Sequence, residues 1–162
     1  MIKKAALRYL GYGSQKASQQ VEILLDECIE EIKQTAQPKA AAALFHLDHE
    51  PLCIHETGDL IPGKQMEELL ADCEKCLLTG GTLGTAMERK IKMYEKVNMT
   101  KAVVMDAAAS AYLEVFCDEY EENLGFPDRT YRACPGYGDF PIEFNKKIAK
   151  IKGKKELIGK KK

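Results

Sequence analysis

The fold class is indicated most clearly by Ala40-Ala-Ala-Ala-Leu-Phe-His-Leu47, followed by Asp48-His-Glu-Pro51 and Leu52-Cys-Ile-His55. The middle four residues are typical of a turn, because Asp can bond its own backbone and Pro fixes φ. The two flanking segments therefore predict the strands of a β-hairpin. Strands and helices alternate irregularly in the rest of the chain. The hairpin thus favours an α+β fold, with a twisted, mainly antiparallel sheet and several helices, over a doubly wound parallel fold.

Helical patterns lie on both sides of this hairpin. The longest predicted helix spans about 101–124, and residues 18–35 carry an apolar stripe of 3.6-residue period that begins at the capping residue Ser18. Pro38 ends that stripe, since proline lacks the N–H that a helix needs. We expect further helices at 66–73, 85–97 and 142–151, and further strands at 76–79 and 130–133.

Size and composition indicate a single globular domain, which we place at residues 1–152. The 162 residues are enough to bury a real core, and 45% hydrophobic with 30% charged residues is ordinary for a soluble protein. No apolar run approaches the roughly 20 residues of a membrane span. The N-terminus lacks the apolar segment of a signal peptide. We therefore expect a cytoplasmic protein with no membrane partner.

Charge is distributed unevenly along the chain. Residues 146–162 hold nine lysines and one glutamate, a local charge of +8 in a chain whose net charge is −1. A basic run can bind nucleic acid. This one has no arginine and no aromatic residue, so bidentate phosphate recognition and base stacking have no support. We expect a solvated lysine-rich tail at 153–162 and no nucleic-acid partner.

The six cysteines and three histidines raise the question of a metal site. Cysteines of a cytoplasmic chain are expected to be reduced. Cys73 and Cys76 form a C-x2-C pair, but structural zinc sites use four ligands, and these two cysteines lie on opposite sides of a predicted helix–strand junction. The histidines lie around the hairpin turn. We expect no metal site, with buried thiols and exposed imidazoles instead.

The glycine-rich segment Gly80-Gly-Thr-Leu-Gly84 lies between a predicted strand and a predicted helix, as phosphate-binding loops do. It lacks the G-x-G-x-x-G order, and no Lys-Ser/Thr pair follows it. Close packing of a helix on a strand explains these glycines better than a nucleotide site.

The segment Tyr131-Arg-Ala-Cys-Pro-Gly-Tyr-Gly-Asp-Phe-Pro141 is the most informative for function. Two prolines and two glycines exclude a helix or a central strand and indicate a stiff loop. The loop carries Arg132, which can pair with a carboxylate, and Tyr137, whose ring can cover a cationic ligand. A purely structural turn would use the same residues, so composition leaves both interpretations open.

The loop resembles a known motif. Arg132-x-x-x-Gly136-Tyr137 is similar to the S-adenosylmethionine-binding motif of the reactivation domain of cobalamin-dependent methionine synthase, and Pro135 to Pro141 resembles the small free-standing members of that family. The likeness covers residues of about 5–150, with four further blocks in the family's order: Arg8–Gly13, Leu60–Lys64, Gly81–Gly84 and Met105–Ser110.

The long predicted helix contributes one more candidate. Between Ala102 and Cys117 its only charged residues are Asp106 and Glu114, and small residues surround Glu114 on its face. A buried carboxylate needs a partner, which could be a backbone amide or a ligand. In the resembling family the acid at this position contacts S-adenosylmethionine, in a Glu-x-x-x-Asp pattern that matches Glu114.

The resemblance implies a binding site without catalytic residues of its own. Arg132 would pair with the ligand's carboxylate, Cys134 and Gly136 would present backbone groups, and Tyr137 would pack near the adenosine or sulfonium. Glu114 would bond the ammonium or the hydroxyls.

The implied function is reactivation, by reductive methylation, of cobalamin on a partner methionine synthase or corrinoid protein, with a flavodoxin-type reductant acting through that complex. The family's C-terminal block after Ile158-Gly159 has no counterpart before Lys162. The alternative expectation is therefore a non-catalytic interaction subunit of a corrinoid methyltransferase that has lost ligand binding.

Overall fold

The computed structural model describes residues 1–149 of the chain. The predicted tail at 153–162, and residues 150–151 of the last predicted helix, lie outside the described residues. Residues 144–149 are helical. The other elements are α1 (Ile2–Tyr9), α2 (Gln19–Thr35), β1 (Lys39–His49), β2 (Leu52–Ile54), α3 (Lys64–Leu69), β3 (Lys75–Thr82), α4 (Thr85–Val97) and α5 (Met99–Asn123).

The predicted α+β fold is confirmed, with one open antiparallel sheet in the order β2-β1-β3. β1 and β2 form the predicted hairpin, with Leu47 opposite Ile54. β3 runs antiparallel to β1: the Leu47 N–H donates to the carbonyl of Glu74, just before β3, whereas Gly81 near the end of β3 lies beside Lys39. The predicted long helix is confirmed as α5, which has 25 residues.

The residues group into two compact units, each with its own hydrophobic core. The first unit comprises residues 1–40 and 81–126, and the second comprises residues 41–80 and the chain from 127 onward. The two units are described separately below.

In the first unit, α5 packs against α1, α2 and α4. The buried face of α5 is rich in alanine, and small side chains let helix backbones approach closely. Larger side chains of the other helices, such as Leu25, Ile32 and Met87, fill the space between them and are almost fully buried. The buried residues of α5 are Ala102, Val104, Met105, Ala107, Ala108, Ala109, Ala111 and Glu121.

The start and end of α2 follow from local chemistry, as predicted. Ser18 is the N-cap, and its Oγ accepts a hydrogen bond from the Val21 N–H at 3.3 Å. This bond satisfies one of the first-turn donors that a helix cannot satisfy itself. The helix ends at Thr35, three residues before Pro38.

A polar cluster ties three helices of this unit together. The Glu31 carboxylate accepts from Tyr94 Oη at 2.9 Å and from Lys101 Nζ at 2.6 Å, and Lys90 Nζ lies 3.5 Å away. Burial raises the pKa of Glu31, but the bonds from Lys101 and Tyr94 outweigh burial and hold the pKa below its ordinary value. Lys101 Nζ also lies 4.6 Å from the centre of the Tyr94 ring, within reach of a cation–π interaction.

In the second unit, the inner face of the sheet packs against α3 and the segment that follows residue 133. Alternation along β1 buries Phe45 and Leu47 and exposes His46 and Asp48, as expected for a sheet with one covered face. The core residues are Ala43, Phe45, Leu47, Leu52, Ile54, Ile61, Met66, Leu70, Phe140 and Phe144.

Two expectations differ from the structure, and one helix was not expected. Residues 130–133 form no strand, and the chain turns directly after them, where the Tyr137 N–H donates to the Cys134 carbonyl. α3 runs from Lys64 to Leu69 rather than over 66–73. The short α1 was not predicted.

No helix in the described part of the chain is long and apolar enough to cross a membrane.

Candidate functional site

The segment at 132–141 is a compact double turn held by its own backbone. The Tyr137 N–H donates to the Cys134 carbonyl at 3.2 Å, and the Phe140 N–H donates to the Tyr137 carbonyl at 3.0 Å. The Gly136 N–H donates to the Phe140 carbonyl at 2.8 Å. These three bonds within seven residues fix the path of the loop, so the stiffness that the prolines and glycines predict is present.

Both glycines of the loop are conformationally required. Gly136 and Gly138 have φ of +100° and +54°, a region that other L-residues rarely adopt. At Gly138 a Cβ would also overlap the side-chain amide of Gln65, so a larger residue would additionally have to displace that flexible side chain of α3. At Gly136 the nearest atoms to such a Cβ are those of Ile142 at 3.7 Å, so φ is the constraint there and space is not.

Asp139 ties the loop to the start of α3. Its carboxylate accepts from the Lys64 N–H at 2.6 Å and from the Gln65 N–H at 3.3 Å. The N-cap residue Gly63 has no side chain that could serve these donors. The Asp139 side chain therefore takes the place of a capping side chain at Gly63, although it lies 75 residues away in the sequence from Lys64. Its negative charge also suits the positive end of the helix dipole.

Two phenylalanines anchor the far side of the loop. Phe140 and Phe144 are 5% and 4% exposed, and their ring centroids lie 5.0 Å apart with the planes tilted by 47°. Tilted pairs at this distance are favourable for aromatic rings. Together with Asp139, these rings fix the loop to the core of the second unit.

The candidate ligand-binding residues of the loop differ in what they can offer. Tyr137 is 67% exposed, whereas Arg132 and Cys134 are half-buried. The Gly136 N–H already donates to Phe140, so at Gly136 the carbonyl is the backbone group left for a ligand. The Cys134 carbonyl accepts one hydrogen bond and keeps a second lone pair.

Glu114 lies on α5, in the first unit, and is half-buried. Its Oε2 accepts a hydrogen bond from Tyr9 Oη at 3.0 Å, the kind of partner that a half-buried carboxylate requires. A carboxylate has about four acceptor positions, so a bond from Tyr9 leaves Glu114 able to accept further donors.

The structure therefore brings together four of the five predicted site residues. Arg132, Cys134, Gly136 and Tyr137 share one loop of the second unit, whereas Glu114 belongs to the first unit. Sequence reasoning missed the partners that position these groups, Asp139 for the loop and Tyr9 for Glu114. The bare Gly63 before α3 was one available signal, because the free N–H groups at a helix start without a capping side chain need an acceptor from elsewhere.

The close packing predicted for the glycines at 80–84 is found at Gly81. A Cβ on Gly81 would lie 2.7 Å from Cys117 Sγ and 3.1 Å from Leu113 Cδ1, both on α5. The Gly84 N–H donates to Thr82 Oγ1 at 3.0 Å. The close contacts explain Gly81, and a φ of +94° explains Gly84.

The cysteines are free thiols, and none of the six forms a disulfide. Burial raises the pKa of both Cys28 and Cys76 to about 11, so these thiols stay protonated at neutral pH. Within residues 1–149, no group of three or more His, Cys, Asp or Glu side chains is arranged to hold a metal ion.

A scan of the chain against protein-family models finds no match, and no curated protein matches it significantly.

Proposed function

We propose that this chain is an S-adenosylmethionine-binding module for the reductive reactivation, by methylation, of cobalamin in methionine synthase or a related corrinoid methyltransferase. The observation that carries the proposal is the loop at 132–141. Its turn bonds, its two positive-φ glycines and the Asp139 tether hold a largely exposed tyrosine ring in the same loop as an arginine. The ligand is suggested by the likeness of Arg132-x-x-x-Gly136-Tyr137 to the family's S-adenosylmethionine-binding motif.

The loop suits the parts of such a ligand. The Arg132 guanidinium is a planar donor that can fork onto an amino-acid carboxylate. The carbonyls of Cys134 and Gly136 can accept from an ammonium or an adenine amine. The electron-rich face of Tyr137 can lie against a sulfonium or an adenosine ring.

Glu114 is the acidic residue that the resemblance implies as a further contact to the ligand. A carboxylate that already accepts from Tyr9 can take further bonds from an ammonium or from ribose hydroxyls. We treat Glu114 as a second, separately testable contribution, because it lies in the other unit.

In this proposal the chain binds and orients and has no catalytic residue of its own. When bound, S-adenosylmethionine supplies the methyl group, and cobalamin belongs to the partner protein. Binding and orientation are what a protein contributes when the cofactor carries the chemistry. The partner would be a cytoplasmic corrinoid protein, with a flavodoxin-type reductant acting through the complex.

The proposal is tested by titrating the full chain with S-adenosylmethionine and S-adenosylhomocysteine in a calorimeter. We expect one site for each ligand. A ligand at 100 times its Kd that binds only the folded state stabilises it by about 2.7 kcal/mol, so the melting temperature should rise in parallel. If titration to millimolar ligand gives no binding heat and no change in melting temperature, the binding proposal is refuted.

Paired variants locate the site. Arg132→Ala should weaken binding about tenfold or more, since hydrogen bonds to charged groups contribute roughly 1.5–3 kcal/mol. Arg129→Ala is the matched control, because it removes the same charge three residues away. Equal losses in the two variants would indicate a general charge effect and would place the site elsewhere.

The alternative, a non-catalytic interaction subunit, predicts a different pair of results. In that case the chain would bind a corrinoid methyltransferase in a pull-down experiment, and the affinity would be the same with and without S-adenosylmethionine. Ligand binding by the isolated chain that Arg132→Ala abolishes would exclude this alternative.

A further inference from the structure

Two exposed histidines lie next to each other at the open end of the β1–β2 hairpin, His46 on β1 and His55 directly after β2. The strand pairing ends with Leu47 opposite Ile54, and one residue beyond it the His55 N–H donates to the His46 carbonyl at 2.9 Å. Leu47 and Ile54 are buried, so His46 and His55 both point to the exposed face.

Each of these imidazoles is held by a carboxylate through Nδ1. His46 Nδ1 lies 2.7 Å from Glu56 Oε1, and His55 Nδ1 lies 2.9 Å from Asp48 Oδ2. An ionised carboxylate can only accept, so in each neutral ring the proton is on Nδ1 and the lone pair is on Nε2. The histidine side chains are 62% and 64% exposed.

This is the arrangement that metal-binding histidines adopt. A histidine that binds a metal through one nitrogen almost always donates its other N–H to a carboxylate, carbonyl or water, which fixes the tautomer and raises the basicity of the ligand nitrogen. Both of these histidines have such a carboxylate, and Glu56 also accepts from the His46 backbone N–H at 3.0 Å.

The third histidine, His49, differs because its Nε2 is already in a hydrogen bond. His49 Nε2 lies 2.7 Å from the Cys73 carbonyl oxygen. A carbonyl only accepts, so His49 carries its proton on Nε2 and this nitrogen is engaged. The chain thus contains its own control for the effect of removing one imidazole.

We propose that the hairpin face binds one exchangeable divalent cation of the zinc class through Nε2 of His46 and Nε2 of His55, with Glu56 and Asp48 as the outer partners. Imidazole nitrogen suits Zn²⁺, Cu²⁺ and Ni²⁺. The site has two protein ligands, in keeping with the absence of any three-residue metal group in residues 1–149. Water fills the remaining positions, so the ion is held loosely and is not part of the folding core.

The test uses the full chain and zinc chloride, because Zn²⁺ has no redox chemistry with the free thiols. Calorimetry in a non-coordinating buffer with a phosphine reductant should give one zinc per chain. His46→Ala and His55→Ala should each weaken binding at least tenfold, and His49→Ala should leave binding unchanged. Equal losses in all three variants, or wild-type affinity in either of the first two, would overturn the proposal.

Two further experiments distinguish zinc binding by the two imidazoles from nonspecific attraction of a cation to nearby carboxylates. Glu56→Gln should weaken zinc binding about 10–100-fold, the usual cost of losing an outer carboxylate. In ¹⁵N-labelled protein, the long-range imidazole spectrum should show the Nδ1–H tautomer for His46 and His55 before zinc is added, and a zinc-dependent shift at their Nε2 atoms. Shifts at Nδ1 instead would contradict the assignment.

The neighbouring thiol provides the last arm. Cys53 lies opposite Asp48, with its Sγ 3.9 Å from Asp48 Oδ2. Cys53→Ser should retain zinc binding within about twofold. If Cys53→Ser loses the zinc as completely as the histidine variants do, a thiolate is the principal ligand and the two-histidine assignment is wrong. Melting curves of every variant without zinc show whether any loss reflects unfolding.

Discussion

Replacing Asp139 with alanine tests whether the candidate loop is held in place by the start of α3. The substitution removes two acceptor contacts, a short one of 2.6 Å to the Lys64 N–H and a longer one of 3.3 Å to the Gln65 N–H. The short contact is a charge-assisted hydrogen bond, whereas the longer one is weak. Loss of an N-cap acid costs about 0.5–2 kcal/mol. Since Gly63 offers no substitute, we expect about 1–2 kcal/mol.

The expected change is measurable by two assays. For a chain of this length, about 1–2 kcal/mol corresponds to a fall of roughly 2–8 °C in melting temperature. Urea unfolding followed by circular dichroism should show a lower midpoint with an unchanged slope, since a change in stability alone leaves the slope constant. Asp139→Asn should fall between wild type and Asp139→Ala, because asparagine is also a good N-cap but lacks the charge.

The controls decide how the result is interpreted. Asp72→Ala removes an exposed acid of the same unit and should change the free energy of unfolding by less than about 0.5 kcal/mol. If Asp139→Ala unfolds at the same urea concentration as Asp72→Ala, the capping argument is wrong. Tyr137→Ala should leave stability nearly unchanged while weakening S-adenosylmethionine, because its ring is 67% exposed. If Asp139→Ala binds the ligand as wild type does, the tether does not organise the site.

The remaining predictions concern other parts of the molecule. Glu31→Gln should destabilise by about 1–2 kcal/mol, because the Lys101 charge would lose its partner and Tyr94 its acceptor. The pKa of Glu31 is lowered in the folded state, so its contribution to the free energy of unfolding is fully present above the ordinary value of 4.5 and is lost as the pH falls through the folded-state pKa. In acid unfolding, the stability difference between wild type and Glu31→Gln should therefore shrink over that pH range. Gly81→Ala should cost about 1–3 kcal/mol, because its Cβ would meet Cys117 Sγ at 2.7 Å, and adding Cys117→Ala should recover part of that loss. A chelator should leave the melting temperature unchanged, because no three-ligand metal group exists in residues 1–149; a drop of several degrees would reveal a structural ion.

Local chemistry explains what the sequence could predict of the fold. The helix α2 follows from the Ser18 cap and a regular apolar stripe, and α4 runs over the predicted 85–97. The hairpin follows from a turn between two apolar segments. The capping partner of α3 could not be predicted, because it is Asp139, 75 residues later. Residues 130–133 form no strand, and strand pairing is a long-range property that a short segment does not encode.

In the candidate site, too, local features could be predicted from the sequence and long-range contacts could not. The composition of the loop at 132–141 is visible in the sequence, and so is its stiffness. Its hydrogen bonds are not, and one of them changes the expected role of Gly136, whose N–H is donated to Phe140. The contact of Glu114 with Tyr9 joins residues 105 positions apart. Sequence reasoning could therefore name the polar groups of the site but not their partners.

The structure divides the loop motif into residues that build the loop and residues that remain for a ligand. Gly138 permits contact with α3, Asp139 caps that helix, and Phe140 fills the core. Each of these three would be needed even if the loop bound nothing. Tyr137 is different, because only its backbone takes part in the turn and its ring is largely in solvent. A large exposed aromatic ring on a rigid turn adds nothing to the fold that a smaller polar residue could not supply. It is therefore the residue of the motif whose chemistry points most directly to a bound partner.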